Sequence, residues 1–273
     1  MTTPPPPSPM STPDPWDLVA PGYETDVLPL FENFASAALG LANLPPAAAV
    51  LDVAAGPGTL SLLAARTVRH VTAVDVSPDM LARLQRRAAA ASLSNLSSQL
   101  ANGQALPFAD SAFDGAFSMF GLIFFPDRAQ GFRELRRVLK PGGRAVVSSW
   151  VPFERMVFLV EAVRAIFRAL AMPPAAPFTE VLSTHEAVHG EMRAAGFQDV
   201  SVHEATHAFE YPSTEAAWAS LSRSTAPIAL MRKRVGEEAW PRVFEAVRAD
   251  LQDHFGTGPQ RLPMTALLGM GTR

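Results

Sequence analysis

The chain has 273 residues, 48% of them apolar, and a formal net charge of -3. That length suits one large domain with insertions, and the charge gives no sign of a nucleic-acid surface. The complete lack of cysteine excludes disulfides, cysteine-ligated zinc, iron–sulfur clusters and thiolate catalysis.

Met1 to Pro15 is a Pro/Ser/Thr tract without the basic start or apolar core of a signal peptide. It reads as a disordered tail of polyproline character. No apolar run is long enough to span a bilayer, so the default location is cytoplasmic. From Trp16 to Leu41, the spacing of Leu28, Phe31, Phe34, Ala38 and Leu41 predicts one helix, ended by Pro45-Pro46.

Val50, Leu51 and Val53 suit a buried strand, with Asp52 near its carboxyl end. Ala54 to Gly58 carries no bulky side chain, so a ligand can approach the backbone there. Thr59 then opens a helix through Leu62, Leu63 and Arg66. Strand, loop and helix read as the first unit of a doubly wound α/β domain, whose ligands sit outside the carboxyl ends of the strands. Val71 to Asp75 is a second strand ending in a carboxylate, placed for ribose hydroxyls. Ser77 caps the next helix and Pro78 fits its first turn, and the helix continues toward Ala91.

Ser97 to Ala101 predicts a third strand, and Phe113 to Met119 a fourth, followed by the apolar loop Phe120 to Pro126. Asp127 caps a helix with Phe132, Leu135, Val138 and Leu139 on one face, stopped by Lys140-Pro141-Gly142-Gly143. Arg144 to Trp150 is the fifth strand. Further on, Val157–Ala171 predicts a helix ended by Pro173-Pro174. His185–Ala195 is another, closed by Gly196. Gln198–Phe209 is a strand, Glu215–Ser222 and Glu237–Phe255 are helices, and Thr265–Met270 is a closing strand.

The sign of the charge at the first loop bears on the ligand. A dinucleotide loop accepts a pyrophosphate on helix amides. Asp52 repels such an anion and attracts a cation, and the Gly-x-Gly-x-x-Gly spacing is missing. Asp52-Val53-Ala54-Ala55-Gly56-Pro57-Gly58 instead resembles the first motif of class I S-adenosylmethionine-dependent methyltransferases, with Ala54 at the position of its first glycine. Three further segments resemble the same family in the same order. They are Asp75-Val76-Ser77-Pro78-Asp79-Met80, then Asn102-Gly103-Gln104-Ala105-Leu106-Pro107-Phe108, and the run from Arg133 to Gly143. The closest likeness is to the small-molecule branch, which acts on quinone precursors, lipids, alkaloids and polyketides.

The resemblance implies a Rossmann-like, mostly parallel seven-stranded sheet with helices on both faces and the last strand antiparallel. It implies S-adenosylmethionine as cofactor. Gly56 and Gly58 would admit its methionine part, Asp52 would face its ammonium, Asp75 its ribose and Asn102 its adenine. Ala54, Val76, Met80, Gly103 and Gln104 would stand beside them. Asn102 replaces the family's Asp, and its amide oxygen still accepts without a charge. Leu106-Pro107-Phe108 would form an apolar wall. Tyr23 stands where the family often places an aromatic over the cofactor. The core spans 45–150, and insertions at about 151–190 and 212–263 would form a lid made apolar by Phe153, Met156, Phe158 and Phe167. Phe120, Leu122, Ile123 and Phe124 suggest an apolar mouth. The acceptor is expected to be a small molecule. Ser118-Met119-Phe120-Gly121 stands where nucleic-acid amino methyltransferases carry an (Asp/Asn)-Pro-Pro-aromatic box, so such targets are disfavoured. No general base is identified. His185, His189 and Tyr211 fall in the lid with ordinary packing roles. The alternatives are a non-catalytic binding module on this fold and a nucleotide-dependent oxidoreductase.

His203-Glu204-Ala205-Thr206-His207 matches a zinc-protease motif, which requires a helix. The preceding β-branched alternation predicts a strand, on which residues four apart lie roughly 13 Å apart, too far for one zinc ion. No metal is expected.

Overall fold

The computed structural model describes residues 9–173 and 181–273. Seven strands form one sheet: β1 (Ala49–Val53), β2 (His70–Asp75), β3 (Leu96–Leu100), β4 (Phe113–Met119), β5 (Leu139–Trp150), β6 (Gln198–Tyr211) and β7 (Gln260–Thr272). Their order is β3-β2-β1-β4-β5-β7-β6, with β7 antiparallel to both its neighbours and the other pairings parallel. The order reverses between β1 and β4, which opens a crevice at their carboxyl ends.

The helices are α1 (Asp14–Asp26), α2 (Leu28–Ala42), α3 (Thr59–Ala64), α4 (Pro78–Ala90), α5 (Arg128–Val138), α6 (Val157–Ala169), α7 (His185–Ala194), α8 (Thr214–Ser224), α9 (Ala226–Val235) and α10 (Trp240–Phe255). Strand alternation divides the core in two. Val50, Val71, Phe117 and Val146 pack with Ala38, Ala42 and Leu60 of α2 and α3. Leu51, Val53, Ala116 and Val147 face the other way, onto Phe132 and Leu135 of α5 and Val188 and Met192 of α7. A third core lies outside the sheet, where Phe158 and Ile166 of α6 meet Trp218 of α8 and Trp240 and Val247 of α10. α7, expected in the lid, thus belongs to the sheet's helical layer.

Several boundaries differ from the sequence reading for one reason. The single helix expected from Trp16 to Leu41 is broken at Val27, and α2 restarts with Pro29 in its first turn. The helix expected from Glu237 starts instead at Trp240, with Pro241 in the same place, and α9, which was not anticipated, carries Pro227 there. Proline lacks the amide that a helix interior needs but fits a first turn, so each marks a start. α2 ends at Asn43 in a left-handed conformation (φ 43°), ahead of Pro45.

The described part of the expected disordered tail, Met1–Pro15, is ordered. Residues 1–8 lie outside the described residues, but Pro9–Ser11 forms a 3-10 turn and Asp14 begins α1. Pro174 also lies outside them. β6 and β7 are longer than expected. Trp150, the last residue of β5, pairs with Ala266, while β6 and β7 stay paired out to Tyr211 and Gln260. The His203–His207 motif lies on β6, as its alternation requires. The His203 ring is 3.0 Å from Ser201 Oγ, and His207 packs edge-on against Phe34 with ring centroids 4.9 Å apart.

Candidate active site

The loops after β1 to β4 converge on a cavity of about 490 Å3. Asp52 reaches it from β1 and Asp75 from β2. Asp52 is only 1% exposed and accepts a 2.6 Å hydrogen bond from Ser61 Oγ of α3. Burial pushes its carboxyl up to about 7, and the nearby Asp75 adds to the rise. Burial also raises Asp75, against the pull of backbone amides. Gly56 N donates to Asp75 Oδ2 at 2.8 Å and Ser77 N to Oδ1 at 2.9 Å. Among the described residues no lysine, arginine or histidine lines the cavity. Two buried carboxylates facing a space with no cation make a site for a positively charged ligand.

The glycine loop divides its tasks. Gly56 has φ +54° with open space where a Cβ would stand, and it lines the cavity. Gly58 (φ +85°) does not. A Cβ there would lie 2.6 Å from Leu84 Cγ and 2.7 Å from Leu62 Cδ1, so this glycine lets α3 and α4 close behind the loop. Ala54, at φ +57°, keeps a Cβ because the facing Gly121 has none; one at Gly121 would lie 2.4 Å from Ala54 Cβ. The departure from the family pattern at Ala54 therefore has a partner in the loop after β4, the neighbouring strand in the sheet. Ser77 Oγ caps α4 by accepting from Met80 N at 3.0 Å, and Val76 and Met80 line the cavity.

Asn102, Gly103 and Gln104 form the next wall. Asn102 Oδ1 accepts from Gln104 N at 2.9 Å and from Gln104 Nε2 at 3.3 Å, so its oxygen closes the turn. A Cβ on Gly103 would lie 2.5 Å from Phe125. Leu106 and Phe108 do not form the expected wall. Leu106 is buried in the core with its amide on Glu134, and Phe108 packs on Phe113.

Beyond Gly121 the cavity becomes aromatic. Phe31, Phe120, Trp150 and Phe153 line it. Phe120 has φ +58°, a strained setting for a bulky residue. Its amide is held by Ser148 Oγ at 2.8 Å and its ring stacks on Trp150 at 4.0 Å and 16°. Phe31 closes on the same ring at 4.8 Å. Ile123 and Phe124 also face the cavity, whereas Leu122 points into the core. Met156 lines it; Phe158 packs instead on Phe255, and Phe167 does not reach it. Tyr23 and Tyr211 both line it, while His185 and His189 on α7 stand apart. The sequence reading missed Trp16, Phe31 and Trp150, which helix and strand periodicity alone assigns to packing. It also missed Met10, whose carbonyl accepts from Trp16 Nε1 at 3.0 Å.

Residues 50–143 match the family described as "Methyltransferase domain". A demethylmenaquinone methyltransferase of Thermus thermophilus is 35% identical over 164 residues, 54% of this chain and 73% of its own. The chain belongs to the class I S-adenosylmethionine-dependent methyltransferase family. A protein of Mycobacterium tuberculosis is 44% identical over 138 residues, so the chain spans about half the length of the mycobacterial relatives it matches. Among solved structures, a putative methyltransferase from Bacillus halodurans superposes with TM-score 0.60 at 17% identity, over 88% of this chain and 98% of that one. The cyclase SpnF superposes with TM-score 0.64 at 20% identity over 97% of each. Both show the shared fold, and it is a fold that hosts more than one chemistry.

Proposed function

We propose that the chain transfers the methyl group of S-adenosylmethionine to a small, uncharged, mainly apolar acceptor. The observation that carries this reading is the pair of buried carboxylates, Asp52 and Asp75, in a cavity that among the described residues no cationic side chain lines and that continues into an aromatic chamber. When bound, S-adenosylmethionine would supply a methyl carbon activated by its sulfonium. Asp52 meets its ammonium, Asp75 accepts from its ribose through lone pairs left over from Gly56 and Ser77, and Gly56 lets its methionine part approach the backbone. Ala54, Val76 and Met80 flank it, and Asn102, Gly103 and Gln104 edge the adenine. The rings of Phe31, Phe120 and Trp150 exclude water and fix an acceptor by shape, so the chain's contribution is mainly positioning.

Among the described residues no histidine, lysine or glutamate lines the cavity to act as a general base. The reaction therefore suits an acceptor that ionises readily, such as an activated phenol or an enolisable carbon acid. The same observation favours a second reading, a module that binds S-adenosylmethionine without transferring its methyl group. Incubation with S-adenosylmethionine and a panel of phenols, quinols and enolisable ketones distinguishes the two. Release of S-adenosylhomocysteine with at least one acceptor supports transfer, and tight binding without release across the panel supports the module. No binding at all contradicts both. A cytoplasmic location and the lack of a nucleic-acid partner belong to the same reading, supported by the formal charge of -3. Among the described residues no helix is long and apolar enough to cross a membrane.

A further inference from the structure

The β6–β7 ribbon overruns the end of β5. From Ala205, level with Trp150 through Ala266, β6 continues to Tyr211, roughly 20 Å of strand. The ribbon brings Tyr211 under α8, where its hydroxyl is 3.1 Å from Ser220 Oγ. Ser220 is buried, and its carbonyl accepts from Ser224 Oγ at 2.8 Å. Tyr211, Ser224 and Thr225 all line the cavity. Hydroxyls thus gather on one wall of a chamber whose other walls are Phe120, Trp150, Met156, Ile228 and Met264.

The chain has two tyrosines, and both line this cavity. The phenol of Tyr23 lies within the electrostatic reach of Asp75, and that of Tyr211 within reach of Asp26 and Arg223. Burial raises the Tyr211 pKa, so the group stays a neutral phenol. A phenol with one bond to a serine hydroxyl keeps either its proton or a lone pair for a ligand. Among the described residues no lysine, arginine or histidine lines the cavity, so an anionic group beside Tyr211 would be desolvated without a cation in contact.

We infer that Tyr211 is the polar anchor of the acceptor, which therefore carries an uncharged hydroxyl or carbonyl away from the atom that receives the methyl group. This rests on the reading of the cavity as a methyltransferase site. Tyr211 acts on specificity and leaves the cofactor end untouched.

The test uses the full chain loaded with S-adenosylhomocysteine and two probes of one shape, 4-tert-butylphenol and tert-butylbenzene. Their affinities are read from quenching of tryptophan fluorescence, to which Trp16 and Trp150 in the cavity wall respond. The wild type should prefer the phenol about two- to tenfold, the worth of one neutral hydrogen bond. Tyr211→Phe should abolish that preference with S-adenosylhomocysteine affinity unchanged, and Tyr23→Phe should keep it. Lack of preference in the wild type overturns the inference, as does a preference that survives Tyr211→Phe or is lost only in Tyr23→Phe. Failure of the wild type to bind S-adenosylhomocysteine would instead strike at the methyltransferase reading itself.

Discussion

Asp52 is a buried carboxylate with one hydroxyl partner and a pKa near 7. Its folded value lies above the unfolded one, so this group's contribution to the stability of the unliganded fold is greatest at low pH and is lost as pH rises through about 7. The full loss is about 4 kcal/mol. A cationic ligand reverses the balance, because it favours the ionised form. Affinity for S-adenosylmethionine should therefore rise more than tenfold between about pH 5 and about pH 7, with proton release on binding. Asp75, also raised by burial, contributes with the same sign. Calorimetry in buffers of different ionisation enthalpy measures both effects, and a pH-independent affinity would refute the coupling. Asp52→Asn should make the unliganded chain more heat-stable at neutral pH while weakening the ligand and lessening the pH slope. A variant less stable than the wild type at neutral pH would show that the carboxylate has a compensation this account omits.

Two loops interlock at the level of elements. Ala54 follows β1 and Gly121 follows β4, each beside a residue or at a residue with positive φ, and only one of the two positions has room for a methyl group. Gly121→Ala should destabilise the fold by about 1–3 kcal/mol through overpacking. Ala54→Gly in that background should recover part of the loss, as read from denaturant midpoints, and additive effects would mean that the loops do not share the space. The N-terminal segment needs a different expectation from the one its composition suggests. Met10 and Ser11 line the cavity, and Trp16 meets Phe124 at 4.8 Å. Deleting residues 1–12 should leave the melting temperature within a few degrees, since Met10 only flanks a small cluster, yet weaken ligand binding several-fold. Unchanged affinity would return those residues to the status of a dispensable tail. The signal for this was present in Trp16 beside the prolines, but a Pro/Ser/Thr composition hides a short turn that only tertiary contacts hold in place.

Across the whole molecule, the strands from Ala49 to Trp150 were legible because each, apart from the polar β3, is an apolar run bounded by a carboxylate, a cap or a glycine turn. Asp52, Asp75 and the cap Ser77 were legible for the same reason, as local chemistry at strand and helix ends. Gly58, expected beside the cofactor, does not line the cavity, and its closeness to Leu62 and Leu84 could not be read from local sequence. Leu106 and Phe108 were misread because an apolar tripeptide does not say which side of the sheet it faces. The aromatic chamber was the least legible part. Phe31 of α2, Phe120 after β4, Trp150 of β5 and Tyr211 of β6 are far apart in the chain, and only tertiary packing brings them to one cavity.

The central claim is that these strand ends hold S-adenosylmethionine rather than a nicotinamide dinucleotide. Calorimetry of the wild type and Asp75→Asn with S-adenosylmethionine and with NAD tests it most directly. The variant keeps an oxygen for the Gly56 amide but loses the charge and one acceptor. Bonds to a charged group are worth roughly 1.5–3 kcal/mol, so S-adenosylmethionine affinity should fall about ten- to a hundredfold with the fold retained, and NAD should bind neither protein. Tight NAD binding by a wild type that ignores S-adenosylmethionine, or an affinity untouched by the substitution, would contradict the account.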